Sequence, residues 1–158
     1  MGARRKGRIL AFQALYSWDV HHSQIKGASI PEGLLDFSWA RQSADVPLDE
    51  GMAAFSRLLV TGTVENITAV DAMIQKHLKN WELKRLNRVD LALLRMSVYS
   101  LMFQDDMPPT IVIDEAIGIA KDFGTDDSYR FVNGVLDSIR KTIASCPVSE
   151  PALTGAGR

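Results

Sequence analysis

Along most of the chain, apolar residues return every three or four positions, and stretches that alternate apolar with polar residues are scarce. No Asn-Gly or Asp-Gly turn joins two alternating runs, so the pattern predicts an all-α protein. A first helix is expected from about Ala3 to His22, ended by the stretch Gly27 to Pro31, and a short second one over about Pro31 to Gln42. Asp45 to Asp49, with Pro47, reads as a loop. A long helical pattern from about Glu50 to Lys79 follows, which Gly62 is expected to kink or divide. Further helices are predicted over about Asn87 to Phe103, Ile111 to Phe123 and 126–144. Gly124 suits a left-handed C-terminal cap, Thr125 or Asp126 an N-cap, and the segment from Cys146 onward a frayed tail.

Three of these helices are informative at 100° per residue. In the first, Ile9, Phe12, Tyr16 and Val20 share one face, Leu10, Ala11, Ala14, Leu15 and Trp18 fill most of the rest, and Lys6, Gln13, Ser17 and Gln24 leave a narrow polar strip. A helix so apolar is expected to be wrapped by others, with its cationic first turns pushed beyond the core, because a buried unpaired cation costs several kcal/mol. The 87–103 helix is apolar nearly all round and is expected to be central to a second cluster. The last helix carries the stripe Val132, Val135, Leu136, Ile139 and Ile143, with Phe131 on its margin beside Gly134, which has no side chain to cover the ring.

Composition narrows the classes. At 158 residues, 46% hydrophobic, 23% charged and with a net charge of -1, the chain reads as one globular domain, and any nucleic-acid signal has to be local. The single cysteine, Cys146, has no partner for a disulfide or a metal motif, which points to a reducing compartment, the cytoplasm. The start has a signal peptide's charges but no clean apolar run or cleavage site, and Asp90 and Arg95 interrupt the most apolar stretch, so neither a removed leader nor a membrane span is expected.

Candidate chemistry is sparse. No P-loop, nucleophile elbow, zincin or dinucleotide-binding motif is present, His21 and His22 are adjacent and point about 100° apart, and Asp114 and Glu115 read as ordinary helix-surface acids. No catalytic residue, metal or cofactor is expected. Lys76, His77, Lys79, Lys84, Arg85 and Arg88, broken by Glu82, read as a solvated face. The remaining feature is the cluster Arg4, Arg5, Lys6 and Arg8, with no acid before Asp19. Cations at a helix N-terminus oppose the macrodipole, at about 0.3–1 kcal/mol each, and a bound polyanion would relieve that cost. A solvated helix start and a phosphate grip both remain open on these grounds. Tyr16, Tyr129 and Phe131 are candidate stacking platforms for unpaired bases, and a place in the core is the alternative for each.

The segments ARRKGRILAFQALYSWD, RLNRVDLALLRMSVYSLMF and PPTIVIDEAIGIAKDFGTDDSYRFVNGVLDSI, in that order and covering residues 3–143, resemble the NusB family of transcription antitermination factors. AKDFG followed by FVNGVLD is the most specific piece. The resemblance implies a compact all-α domain over 1–145 built of two helical subdomains, tandem three-helix bundles over about 1–80 and 81–145, with 146–158 as a disordered tail. It implies no catalysis. It implies binding to boxA-type RNA of ribosomal RNA transcripts together with NusE, a small-subunit ribosomal protein, and action on the RNA polymerase elongation complex through other Nus factors. Monomers and homodimers both fit.

By position, the resemblance assigns RNA binding to Arg4, Arg5, Lys6, Arg8, Gln13, Tyr16, Arg130, Phe131 and Asn133, and contact with NusE to Asp90 and Asp127. The chain departs from the family pattern at Tyr99-Ser100, where an acid usually follows the tyrosine, and in IDEA at Ile113 to Ala116 for the commoner INEA. The first departure leaves an interhelical or partner contact in question, and Gly7 is expected to loosen the arm. Two rivals stay open. One is a NusB-like targeting domain of an RNA methyltransferase, disfavoured by a chain that ends soon after its last helix with no cofactor motif. The other is a protein-only interaction module.

Overall fold

In a computed structural model the described residues are 3–21, 30–37, 39 and 50–145. Seven helices are defined among them, and the fold is all-α. They are α1 (Ala3–His21), α2 (Glu32–Leu35), α3 (Glu50–Glu65), α4 (Ile67–Lys76), α5 (Arg88–Phe103), α6 (Pro109–Phe123) and α7 (Ser128–Ser145), with a 3-10 turn at Leu83–Arg85 before α5. Residues 38 and 40–42 of the expected second helix, the loop Asp45 to Asp49, His22, Gln24 and the tail from Cys146 lie outside the described residues.

The architecture follows from α5. Its residues from Asp90 to Ser100 are all buried, because α1, α3, α4, α6 and α7 all pack against it. A helix apolar on every side needs such an enclosure. On one flank α1 lies between α3 and α5, and on the other α6 and α7 pack on each other and on α5. One continuous core results, running from Phe12 and Leu15 through Leu59, Ile74, Leu93 and Leu94 to Ile119, Leu136 and Ile139. Phe37 belongs to it too, fully buried against Trp39 although its φ of 55° is rare for an aromatic residue. Burying the ring offsets a backbone cost of roughly 1–2 kcal/mol.

Several boundaries differ from the pattern's forecast. The long 50–79 run does divide, but at Asn66, whose side-chain amide donates to the Gly62 carbonyl at 2.8 Å, and not at Gly62 itself. Gly62 stays helical because its missing side chain makes room for the Tyr99 phenol of α5. The paired prolines start α6 instead of preceding it, with Pro108 at the N-cap and Pro109 at N1, where its absent N–H costs nothing. Gly124 is extended, with φ -92° and ψ -172°, so the expected left-handed cap does not form. Glycine is needed there for space, since a Cβ would lie 2.5 Å from the Ser128 side chain. The expected N-cap is reversed as well: the Ser128 hydroxyl accepts from the Thr125 N–H at 3.0 Å, and α7 begins at Ser128.

Burial of α5 forces a charge inside. Arg95 donates through Nε and Nη2 to both Asp71 oxygens at 2.9 Å, and through Nη1 to Asp19 Oδ1 at 3.1 Å, while Arg88 takes the other Asp19 oxygen. These bonds tie α1, α4 and α5 together. For Asp19, burial works to raise the pKa, but the hydrogen bonds and charges of Arg88 and Arg95 outweigh it, and the carboxyl lies below its ordinary value. Its stabilising contribution is therefore complete above the ordinary carboxyl value of 3.8 and is lost as pH falls through the depressed native pKa. Asp19→Asn is expected to cost about 3 kcal/mol in urea unfolding at neutral pH, the lower end for breaking a buried pair because Arg95 keeps Asp71. The gap from wild type narrows only when the titration is carried below about pH 4.

Candidate nucleic-acid interface

The first turn of α1 contains no acid, so the helix itself offers nothing to balance its cations. Helix α6 supplies the balance. Arg5 donates through Nε and Nη2 to the two oxygens of Glu115 at 3.0 and 2.8 Å, the bidentate geometry suited to a guanidinium. Arg8 lies 3.7 Å from the same carboxylate. The Glu115 hydrogen bond raises the Arg5 pKa, whereas burial pushes Arg8 down, with Glu115 opposing and Arg4 and Arg5 adding repulsion.

The expectation that these cations protrude past the core is corrected for three of them, half-buried Lys6 included. Arg8 is only 5% exposed and Arg5 is half-buried, while Arg4 is exposed. Burial is tolerable because Phe55 of α3 receives the Arg4 and Arg8 guanidiniums over its ring at 5.1 and 5.3 Å, and Glu115 provides the counter-charge. Gly7 does not loosen the arm. Its carbonyl accepts from the Ser56 hydroxyl at 2.8 Å, and a Cβ there would lie 2.8 Å from the Phe55 ring, so α1 and α3 meet closely at that point. The reading of Glu115 as an ordinary surface acid is likewise corrected. Arg4, Arg5 and Arg8 line a cavity of about 710 Å³ together with Glu115, Met107, Pro108 and Ile111.

Further along α1, Gln13 is half-buried, Phe12 is buried, and Tyr16 and Val20 are 40% and 39% exposed, so the wrapping expected of this helix ends after Phe12 on that face. Phe12 meets Phe123, at the end of α6, with ring centroids 5.5 Å apart. Helix α6 thus runs beneath the arm at Glu115 and reaches the middle of α1 at Phe123, just before α7 begins. On α7, Arg130 and Asn133 are exposed and Phe131 is half-buried against the core, with open space at Gly134 beside it. Tyr129 is occupied, since Lys121 and Arg130 sit over its ring at 5.0 and 5.5 Å and Arg130 Nε donates to its hydroxyl.

Of the two acids assigned to a partner, Asp127 is exposed. Asp90 is 7% exposed: its N–H donates to Asn87 Oδ1 at 2.8 Å, its Oδ2 accepts from Asn87 Nδ2 at 3.1 Å, and its Oδ1 has no hydrogen-bond partner. It closes the start of α5 rather than facing outward. Ser100, at the usually acidic position, is buried and donates to Gln104 Oε1 at 2.6 Å, so the missing acid is replaced by a contact that finishes α5. Glu115, Phe55, Met107 and Gly118 were missed by sequence reasoning. The only local signal was the absence of any acid near the arm, and it does not say where the counter-charge comes from.

The second basic stretch contains ion pairs and one half-buried bridge between helices. Lys84 pairs with Glu82 and Arg88 with Asp19, while His77 bridges the Met73 carbonyl and the Thr142 hydroxyl, at 2.9 and 2.8 Å, joining α4 to α7. Among the described residues no group of three His, Cys, Asp or Glu is placed to hold a metal ion, and no helix is long and apolar enough to cross a membrane.

A family profile described as the NusB family matches residues 5–141. The transcription antitermination protein NusB of Treponema denticola is 58% identical over 137 residues, covering 87% of this chain and 95% of that protein. Among solved structures, a NusB of T. maritima superposes with a TM-score of 0.72 at 36% identity, covering 87% of this chain and 90% of its own. A chain in a crystal structure of the antitermination factors NusB and NusE in complex with dsRNA superposes with a TM-score of 0.75 at 28% identity, covering 90% and 98%.

The placement of Asp90 makes its own prediction. Burial raises its pKa, with Ser128 and Asn87 acting the other way, so the native state holds this proton more tightly than the unfolded chain and ionisation works against folding. Asp90→Asn is expected to unfold at a higher urea concentration than wild type at neutral pH. The difference should close as pH is lowered through the carboxylate range, the opposite trend to the one expected from Asp19.

Proposed function

The chain belongs to the NusB family, and from that premise we propose how it works as a transcription antitermination factor: it grips boxA-type RNA through the α1 arm and the aromatic positions beyond it, together with NusE. The observation that carries the proposal is the arm itself. Four cations in the first eight residues, with the one carboxylate of Glu115 set against them from α6, form an organised cationic surface on the first two turns of α1. Tyr16 stands exposed two turns further on, and half-buried Phe131 lies beside exposed Arg130 and Asn133. Guanidiniums for phosphates and open aromatic faces for bases are what single-stranded RNA recognition requires. The arm's half-buried and buried members are already held in place, so less conformational entropy is lost when phosphates arrive.

We assign the RNA contacts to Arg4, Arg5, Lys6, Arg8, Gln13, Tyr16, Arg130, Phe131 and Asn133, and a NusE contact to exposed Asp127. For Asp90 the reading becomes indirect, since a buried carboxylate that holds the N-cap Asn87 of α5, beside Ser128 at the start of α7, acts on a partner surface through the position of those helices. NusE and the RNA are the direct partners in this proposal. Contact with RNA polymerase through other Nus factors, a homodimer and a cytoplasmic location are extensions of the same reading. The match over 95% of the Treponema denticola antitermination protein favours this function over a methyltransferase's targeting domain.

A salt titration of boxA RNA binding, with and without NusE, tests the grip. Four independent cations would give a slope of log K against log salt of roughly -3, and cancellation of one by Glu115 lowers the arm's share to about -2. Arg4→Ala with Arg5→Ala should flatten the slope by about 1, and a slope already near zero in wild type would remove the arm from the interface. Phe131→Ala should weaken RNA binding by about 1–3 kcal/mol if the ring stacks on a base. Lower stability with unchanged RNA affinity would place Phe131 in the core only.

A further inference from the structure

The cavity beside the arm is amphipathic in a way that phosphate contact alone does not explain. Helix α1 brings three guanidiniums to it, and the middle of α6 brings a single carboxylate, so its charge favours an anion. The remaining lining is apolar: Met107, with its sulfur 3.6 Å from Arg4 Nη1, then exposed Pro108, and Ile111, which is 47% exposed. Its volume of about 710 Å³ is within the range of small-ligand pockets. A surface that is cationic on one side and flat and apolar on the other matches a nucleotide, with its phosphate and its base face.

Arg5 is the most tightly held of the three. Glu115 takes its Nε and Nη2 edge, and the guanidinium lies flat on Gly118 one turn along α6, where a Cβ would sit 2.8 Å from Cζ and closer still to Nη1. Only glycine permits that approach. The Nη1 end is left to donate to an incoming oxygen, in a direction set by α6 and not by the arm's own backbone.

We propose that this cleft is a subsite for one unpaired nucleotide of the bound RNA, its base against Pro108 and Ile111 and its phosphate on Arg4 and Arg5, with Glu115 and Gly118 as positioning residues that hold Arg5 over it. The proposal rests on the RNA-binding reading above and adds to it a single-base contact on α6. An acidic peptide would share the arginines but gain nothing base-specific from Ile111.

The test uses the full chain and labelled single-stranded boxA RNA, alongside versions in which each base in turn is removed while the backbone is kept. In wild type, loss of the base in this cleft should weaken binding by about 5- to 150-fold. In Ile111→Ala, a change at an exposed side chain, the penalty at that one position should shrink to less than about 2-fold while penalties elsewhere persist. Gly118→Ala keeps every charge and displaces Arg5, so RNA affinity should fall by about 5-fold or more. Ile111→Ala that alters no position selectively overturns the subsite and leaves RNA binding by the chain intact. Unchanged or improved binding by Gly118→Ala overturns the positioning role. Wild type that binds an acidic peptide and no RNA overturns the underlying reading, and the subsite with it.

Discussion

A helix enclosed on all sides has nowhere to send a charge, and Arg95 sits in the middle of such a helix. Its guanidinium has to be matched by carboxylates from the elements packed around it, and Asp19 and Asp71 come from α1 and α4. The pairing is directional as well as attractive: two oxygens of Asp71 and one of Asp19 leave little freedom in how α1 and α4 lie across α5. Apolar contacts would allow those helices to slide, whereas a buried guanidinium with fixed partners does not. The orientation of α1 follows from this fixture at its C-terminal end, and that orientation carries the arm to α6.

At the other end of α1 the same chemistry recurs at the surface. Arg5 and Arg8 converge on Glu115, and Phe55 lies under Arg4 and Arg8. The difference is one of stoichiometry. Around Arg95 two acids meet two bases, which leaves a neutral network that reaches from the core to Arg88 at the surface. At the arm one acid meets three arginines, which leaves charge over for a polyanion. The two ends of one helix thus carry a structural network and a binding surface made from the same residue types, separated in role by the ratio of the charges.

Much of this was legible in the chain. The apolar periodicity of 87–103 implied a helix central to a second cluster, whereas it is central to both flanks of one core; its start at Asn87 and end at Phe103 fall where the pattern put them. The stripe on the last helix was read correctly because Val132, Val135, Leu136 and Ile139 leave no alternative face to bury. The segments through QALYSW and FVNGVLD carried the family. The counter-ions were not legible. Asp19 is 76 residues from Arg95, and Asp114 and Glu115 look alike in sequence, yet only Glu115 falls under the arm once α6 is placed. Periodicity also grouped Tyr16 and Val20 with Phe12 as one buried stripe, although α6 ends at Phe123 and nothing from that helix extends over the last turns of α1. Gly124 failed as a left-handed cap for a similar reason, because crowding from Ser128 and not backbone chirality selects glycine there.

The separation between Arg5 and Glu115, 110 residues, has a consequence for how the protein comes into being. The arm is made well before the residue that orients it, since Glu115 is added 110 residues after Arg5. Until then the arginines have Phe55 and the rest of α3 to pack on, but not the carboxylate that fixes the Arg5 guanidinium. The binding surface is therefore completed late, when α6 docks, long after the arginines that line it have been made.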